Sequence, residues 1–160
     1  SKKYRITLAT VLLDELINKS GWKLTKTVLP QHTDHAGVMW HGSYLNFLEE
    51  GRIEALNQVG TSYSELSKQG FEIPVISINI QYKISFLHGE RCLLKSKFQR
   101  KNKLRLNCKT IFLKSNGDLG AEAIIELVVI RRKNESMKLV RELPLEIKNK
   151  LLLLEKGPNF

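Results

Sequence analysis

From residue 73 to residue 133 the chain alternates apolar and polar residues with few breaks. In 73–86 the even positions are Ile76, Ile78, Ile80, Tyr82, Ile84 and Phe86, while the odd ones include Ser77, Asn79, Gln81, Lys83 and Ser85. Successive strand side chains point to opposite faces, so this period calls for a sheet with one face on a core. Residues 91–101 repeat the pattern with Cys92, Leu94, Ser96 and Phe98, and 104–114 with Leu104, Leu106, Cys108 and Phe112. Turn residues separate the runs: His88-Gly89-Glu90, Asn102-Lys103 and Ser115-Asn116-Gly117-Asp118. Residues 120–133 are apolar on both faces in their middle, which predicts a central strand.

Ahead of this β-rich half stands one long helical pattern, from about Tyr44 to Val59. Tyr44, Leu45, Leu48, Ala55, Leu56 and Val59 form its apolar stripe. Gly51 lies in that stripe, where it would let a sheet approach closely. Ser43 is the predicted N-cap and Gly60 the stop. A shorter helix is predicted over 63–69, a strand over 22–31 and a last helix over 144–155 starting at Pro144. A helix predicted over 8–19 reads as an appendage. The expected organisation is an N-terminal helical extension, 1–21, a core domain, 22–134, and a C-terminal tail, 135–160. One dominant helix with antiparallel strands makes an α+β layer, a sheet wrapped round a helix.

Residues 32–44, HTDHAGVMWHGSY, fit neither period and lead straight into the long helix. Asp34 sits there among His32, His35 and His41, with Gly37 and Gly42 supplying backbone freedom. A helix N-terminus offers unpaired N–H groups at its positive end, suited to an oxyanion. A nearby carboxylate would serve as nucleophile or as general base for water. The same Asp34 also fits a plain turn cap. The three histidines match no common zinc spacing, so no metal is expected. Glu49 and Glu50 read as a solvated helix face.

The 160 residues suit one domain, and 42% hydrophobic and 26% charged residues exclude disorder and low complexity. No apolar run is long enough to cross a membrane. The first residues lack a signal-peptide pattern, and the expected compartment is the cytoplasm. Cys92 and Cys108 read as buried apolar residues. The unusual number is a net charge of +10. Arg91, Lys95, Lys97, Arg100, Lys101, Lys103, Arg105, Lys109 and Lys114 lie in one stretch with no acidic residue. Such a stretch suits an anionic partner. Nucleic acid is the competing class, but the only aromatics within 91–114, Phe98 and Phe112, belong to the apolar face, so no stacking platform is expected.

HTDHAGVMWHGSYLNFLEEGRIEAL resembles the signature of the 4-hydroxybenzoyl-CoA thioesterase family, which has the hotdog fold. Phe47-x-Glu49-x-x-Arg52 is similar to that family's helix, and Ser77 to Glu90 is similar to its next strand and turn. The likeness covers 22–134. It implies hydrolysis of an acyl-CoA thioester, with Asp34 as nucleophile or general base. The His41 N–H would polarise the thioester carbonyl and the His41 side chain would orient substrate or water. Gly37, Val38 and Tyr44 would shape the substrate site, and Arg100, Lys101 and Arg105 would hold the phosphates of coenzyme A. No cofactor is implied, coenzyme A being part of the substrate. Sites between subunits of a homodimer or homotetramer are implied as well. Phe71-Glu72-Ile73-Pro74-Val75 faintly resembles the branch acting on 1,4-dihydroxy-2-naphthoyl-CoA. Acyl carrier protein is an alternative carrier, its acidic surface suiting a basic protein. A non-catalytic hotdog protein binding an acyl ligand or nucleic acid is the alternative reading. The chain departs from the family pattern at His32, where many members are acidic, and at Ser85, where Pro is usual.

Overall fold

A computed structural model of the chain describes residues 17, 19 and 21–158. The helix expected over 8–19 lies outside the described residues except for Ile17 and Lys19, both helical. Ile17 is buried, and its carbonyl accepts from the Gly21 N–H at 3.0 Å.

Five antiparallel strands form the main sheet: β1 (Trp22–Thr27), β4 (Arg91–Arg100), β5 (Arg105–Lys114), β6 (Leu119–Val128) and β3 (Val75–Tyr82), in that spatial order. A smaller sheet joins β2 (Phe71–Glu72), β7 (Ile130–Lys133) and β8 (Ser136–Leu139). Three helices complete the chain after residue 21: α1 (Ser43–Gln58), α2 (Tyr63–Lys68) and α3 (Leu145–Lys156). This is the hotdog arrangement, with the sheet wrapped round α1.

The alternation explains the layering. Leu94 and Phe98 of β4, Leu106 and Phe112 of β5, and Ala121 and Ile125 of β6 turn to the helix side and are buried. α1 answers with Tyr44, Phe47, Leu48, Ala55 and Leu56, spaced three to four apart so that they share one face. Leu45, expected in the stripe, is exposed, and Phe47 is fully buried in the core. Gly51 faces Leu94, but a Cβ there would sit 3.8 Å from Leu94 Cδ2, an ordinary contact. Close approach therefore does not require glycine at 51. α3 closes the far end of the core through Ile147, Leu151 and Leu154, and Trp22 Nε1 donates to the Leu154 carbonyl at 2.9 Å.

Several expectations shift. β1 stops at Thr27, because Pro30 starts a 3-10 turn over Pro30–His32. The run 120–133 breaks at Val129, whose N–H turns to the Leu104 carbonyl at 2.8 Å, leaving two strands in two sheets. β6 does lie between two neighbours, as its apolar middle predicts. Residues 136–139, expected within the C-terminal tail, form β8 against β7, all four of them exposed. The largest surprise is β3. Its apolar residues share the helix side, yet Ile76, Ile78 and Tyr82 are 42–50% exposed, and so is Ile84 just beyond it. β3 is an edge strand, paired only with β6 among the described residues, and α1 packs over the β1–β4 side.

Candidate active site

The irregular segment is a small closed loop. Thr33 bridges Met39, and Val38 bridges Leu87. Between those ties the chain reverses through Gly37 at φ +74°, a conformation that favours glycine. The space there is open, so the dihedral alone demands the residue. Asp34 governs the turn. Its N–H donates to the Val38 carbonyl at 2.9 Å, and its carbonyl accepts from the Gly37 N–H at 3.0 Å. Its Oδ1 accepts from the Ala36 N–H at 2.9 Å and the Val38 N–H at 3.3 Å. The turn-cap role is real, and it engages one carboxylate oxygen. No hydrogen bond between described residues engages Oδ2.

The loop runs directly into α1. Ser43 is the first helical residue rather than the N-cap, which is Gly42. Ser43 Oγ instead donates to the His32 carbonyl at 2.9 Å, tying the helix start to the preceding 3-10 turn. The Ser43 N–H donates to the Trp40 carbonyl and the Leu45 N–H to the Gly42 carbonyl. No hydrogen bond between described residues takes the N–H of His41 or Gly42. His41 is exposed and Gly42 half-buried, at the positive end of the helix. Gly42 is constrained by its neighbour: a Cβ there would fall 2.1 Å from the Trp40 ring. The indole thus lies across the helix start, with the His41 ring 4.8 Å from it.

These groups border an open recess of about 300 Å³ lined by Asp34, Trp40, His41, Tyr44, Tyr82 and Lys83, among others. Tyr82, unremarked in the sequence beyond its place in the alternation, donates its hydroxyl to the His41 carbonyl at 3.1 Å. Its ring meets that of Tyr44 edge-on at 4.9 Å. Burial, with the nearby Cys92 and Tyr82 groups, pushes the Tyr44 hydroxyl up to about 12, so it stays protonated at neutral pH. The wall at 83–87 is held from behind. Lys114 Nζ donates to the Ser85 carbonyl at 2.6 Å and to Glu90 Oε2 at 2.8 Å, and lies over the Phe86 ring.

The remaining candidates separate. His32 is buried, its ring edge-on to Phe47 at 4.9 Å and its Nδ1 accepting from the Leu29 N–H. It belongs to the core. Among the described residues no cluster of histidine, cysteine or carboxylate side chains could hold a metal ion. Burial pushes the thiols of Cys92 and Cys108 up to about 12 and about 11, so neither is a ready nucleophile. Val38 is part of the loop, half-buried, and is not among the residues lining the recess. Arg100, Lys101 and Arg105 are not brought to the recess within one chain. The Tyr82 row continues through Ala121 and Phe112 to Leu94, and Arg100 is six residues further along β4. That is about 20 Å along the strand. Arg100 and Lys101 line a separate open recess of about 510 Å³ beside α3. Arg105 pairs with Glu126 at 3.1 Å.

The sequence model of the thioesterase-like superfamily matches residues 28–151. The sll0410 protein of Synechocystis sp., named as a candidate esterase, is 32% identical over 141 residues, 88% of this chain and 84% of that one. YneP of Bacillus subtilis, named as a candidate acyl-CoA thioesterase, is 37% identical over 62 residues, 39% of this chain and 45% of that one. Among solved structures, the fold is similar to Slr0204 of Synechocystis, a 1,4-dihydroxy-2-naphthoyl-CoA thioesterase. Its TM-score is 0.75 at 20% identity, covering 84% of this chain and 97% of that one.

Proposed function

The chain belongs to the thioesterase-like superfamily and is a thioester hydrolase, and on that premise we propose that it cleaves acyl-CoA thioesters at the Asp34 recess. The observation that carries this reading is the carboxylate itself. Oδ1 is fixed by two backbone N–H groups, while Oδ2 is left beside a helix start with unengaged N–H groups. A fixed carboxylate with one free oxygen is a pre-oriented nucleophile or general base.

In the proposed reaction the substrate carbonyl oxygen lies at the helix start, where the His41 N–H stabilises the charge that develops. Oδ2 either attacks the carbonyl carbon or takes a proton from the water that does. The tetrahedral intermediate collapses, the carbon–sulfur bond breaks, and coenzyme A leaves as thiolate and takes up a proton. A direct attack leaves an anhydride on Asp34 that water then opens. Tyr82 holds the His41 peptide, and the His41 ring orients substrate or water.

The partner is a second copy of the chain. β3 presents eight residues of unpaired edge and an exposed apolar row, a combination that single domains avoid. Antiparallel pairing of two β3 edges about a two-fold axis covers both. In the register that overlaps all eight residues, Tyr82 of one copy lies opposite the partner's Val75. The partner's 100–105 hairpin then comes to the same end of the joined sheet as the recess, so Arg100 and Lys101 are placed for the phosphates of coenzyme A. The acyl group is aromatic or short, with 1,4-dihydroxy-2-naphthoyl-CoA among the candidates and acyl carrier protein as an alternative carrier.

The test is thiol release from a panel of acyl-CoAs, followed colorimetrically. Asp34→Asn is expected to lower kcat at least about 100-fold with fold and oligomer intact. Wild-type turnover in that variant would sink the mechanism.

A further inference from the structure

Helix α3 is apolar on two sides. Ile147, Leu151 and Leu154 are buried in the core. At about 3.6 residues per turn, Leu145, Leu152 and Lys156 fall on the opposite side, flanked by Lys148 and Leu153. That outer side is open. Leu145 is 72% exposed, more than any other large apolar side chain among the described residues, and Leu152 and Leu153 are 48% and 41% exposed. An amphipathic surface helix carries polar residues on the side away from its core. Single exposed leucines are ordinary, but three along one side of one helix make a patch.

The charge on this side is mostly positive. Lys148 and Lys156 stand among the leucines, and Lys148, Leu145 and Lys103 line one open recess of about 510 Å³. The β4–β5 hairpin that supplies Lys103 is tied to α3 by a hydrogen bond from the Arg100 N–H to Glu155 Oε1. Among the described residues no carboxylate pairs with Lys103, Lys148 or Lys156. The acidic groups nearby are Glu142 at the rim of the recess and Glu146 on the helix flank, Glu155 being engaged by Arg100.

The occupant must cover leucines and meet lysines together. A second copy brings the same lysines and is repelled. Nucleic acid meets the lysines and leaves the leucines in water. A protein partner is held by aromatic anchors in shaped pockets, and neither α3 nor the 100–105 hairpin carries an aromatic residue. A bilayer with anionic headgroups answers both. Acyl chains cover the leucines, and the lysine stems lie along the apolar surface while their ammonium groups reach the phosphates.

We propose that the outer side of α3, with Lys103 of the neighbouring hairpin, seats this protein on an anionic lipid surface, α3 lying in the plane of the interface. No described helix is long and apolar enough to cross a membrane, so the attachment is peripheral. α3 packs on β4 and on Trp22 of β1, with β5 and β6 between β4 and the β3 edge. Pairing of two copies at β3 therefore leaves the patch open. The inference goes beyond the thioesterase reading, since it invokes neither Asp34 nor a thioester.

Purified protein is sedimented with phosphatidylcholine vesicles, either plain or containing roughly one-third phosphatidylglycerol. The expected result is binding to the anionic vesicles that weakens as salt is raised, with little binding to the plain ones. Leu145→Glu should weaken the binding at least about tenfold, and Lys148→Gln about fivefold. Both side chains are exposed, so Tm should stay within about 2 °C and thiol release from soluble acyl-CoA should be unchanged. If Leu145→Glu fails to fold, Leu152→Gln reads the same side of the helix. No binding by the wild type, equal binding to both kinds of vesicle, or binding that none of these variants weakens overturns the proposal. So does a smaller oligomer for Leu145→Glu in the ultracentrifuge, which makes the patch a contact between copies. An RNA gel shift lost in Lys148→Gln, with no vesicle binding, overturns it in favour of nucleic acid. Vesicle binding is read without a thioester, so its failure leaves the hydrolase reading standing, and the reverse holds too.

Discussion

Gly42→Ala is the sharpest perturbation of the site's architecture. Gly42 has φ −70° and ψ −26°, so alanine fits its backbone. By the unfolded-state argument alone the change would stabilise the fold by about 0.4–1 kcal/mol. The new Cβ, however, would meet three Trp40 ring atoms at 2.1, 2.4 and 2.7 Å. The indole must leave the helix start. It is 49% exposed, so about half its surface is covered where it lies. Losing about 100 Å² of that cover costs about 2.5 kcal/mol. The net expectation is a loss of about 1.5–2 kcal/mol, which lowers Tm by about 3–8 °C for a chain of this size. Because the ring borders both His41 and the Asp34 recess, kcat/KM should fall as well. Calorimetry gives the Tm, and the tryptophan emission should shift to the red as Trp40 gains water. A variant with raised Tm and unchanged emission would refute the placement of Trp40, and with it the claim that this ring shapes the recess.

Two further predictions concern the scaffold. Glu90 is held below the usual carboxylate range, first by the hydrogen bond from Lys114 and then by the Leu87 N–H. A depressed carboxylate stabilises above its unfolded pKa, and that stability is lost as pH falls through the folded value. Glu90→Gln should therefore cost about 1 kcal/mol at pH 7, discounted for exposure, and the gap should close in acid; a gap that persists at low pH contradicts the assignment. Gly51→Ala should be neutral to stabilising by up to about 1 kcal/mol, since mid-helix glycine is unfavourable and the added Cβ meets only Leu94 at ordinary distance. A drop in Tm would show that α1 sits closer to the sheet.

Much of the fold was legible in the residues because it depends on local periods. Alternation over 91–114 set two strands and their buried faces, and the stripe on 44–59 set the helix. The Asp34 segment was legible too, since glycines, an acidic residue and a helix start lie within a dozen positions. The cavity lined by Arg52 and Glu49 was not legible. On a helix they read as one more polar face, and only packing against α2 and the sheet closes a cavity over them.

The sequence by itself determined which side chains share a face and where the chain must turn, because strand and helix periods and the φ of Gly37 are local properties. Tertiary structure decided what those faces meet. β3 carries as regular an alternation as β4, yet it lies at the sheet edge and its apolar row stays open. His32 and His41 are the same residue type nine positions apart, one buried against Phe47 and one exposed at the recess. Burial and pairing are set by which elements become neighbours in space, and a period in the chain carries no record of that.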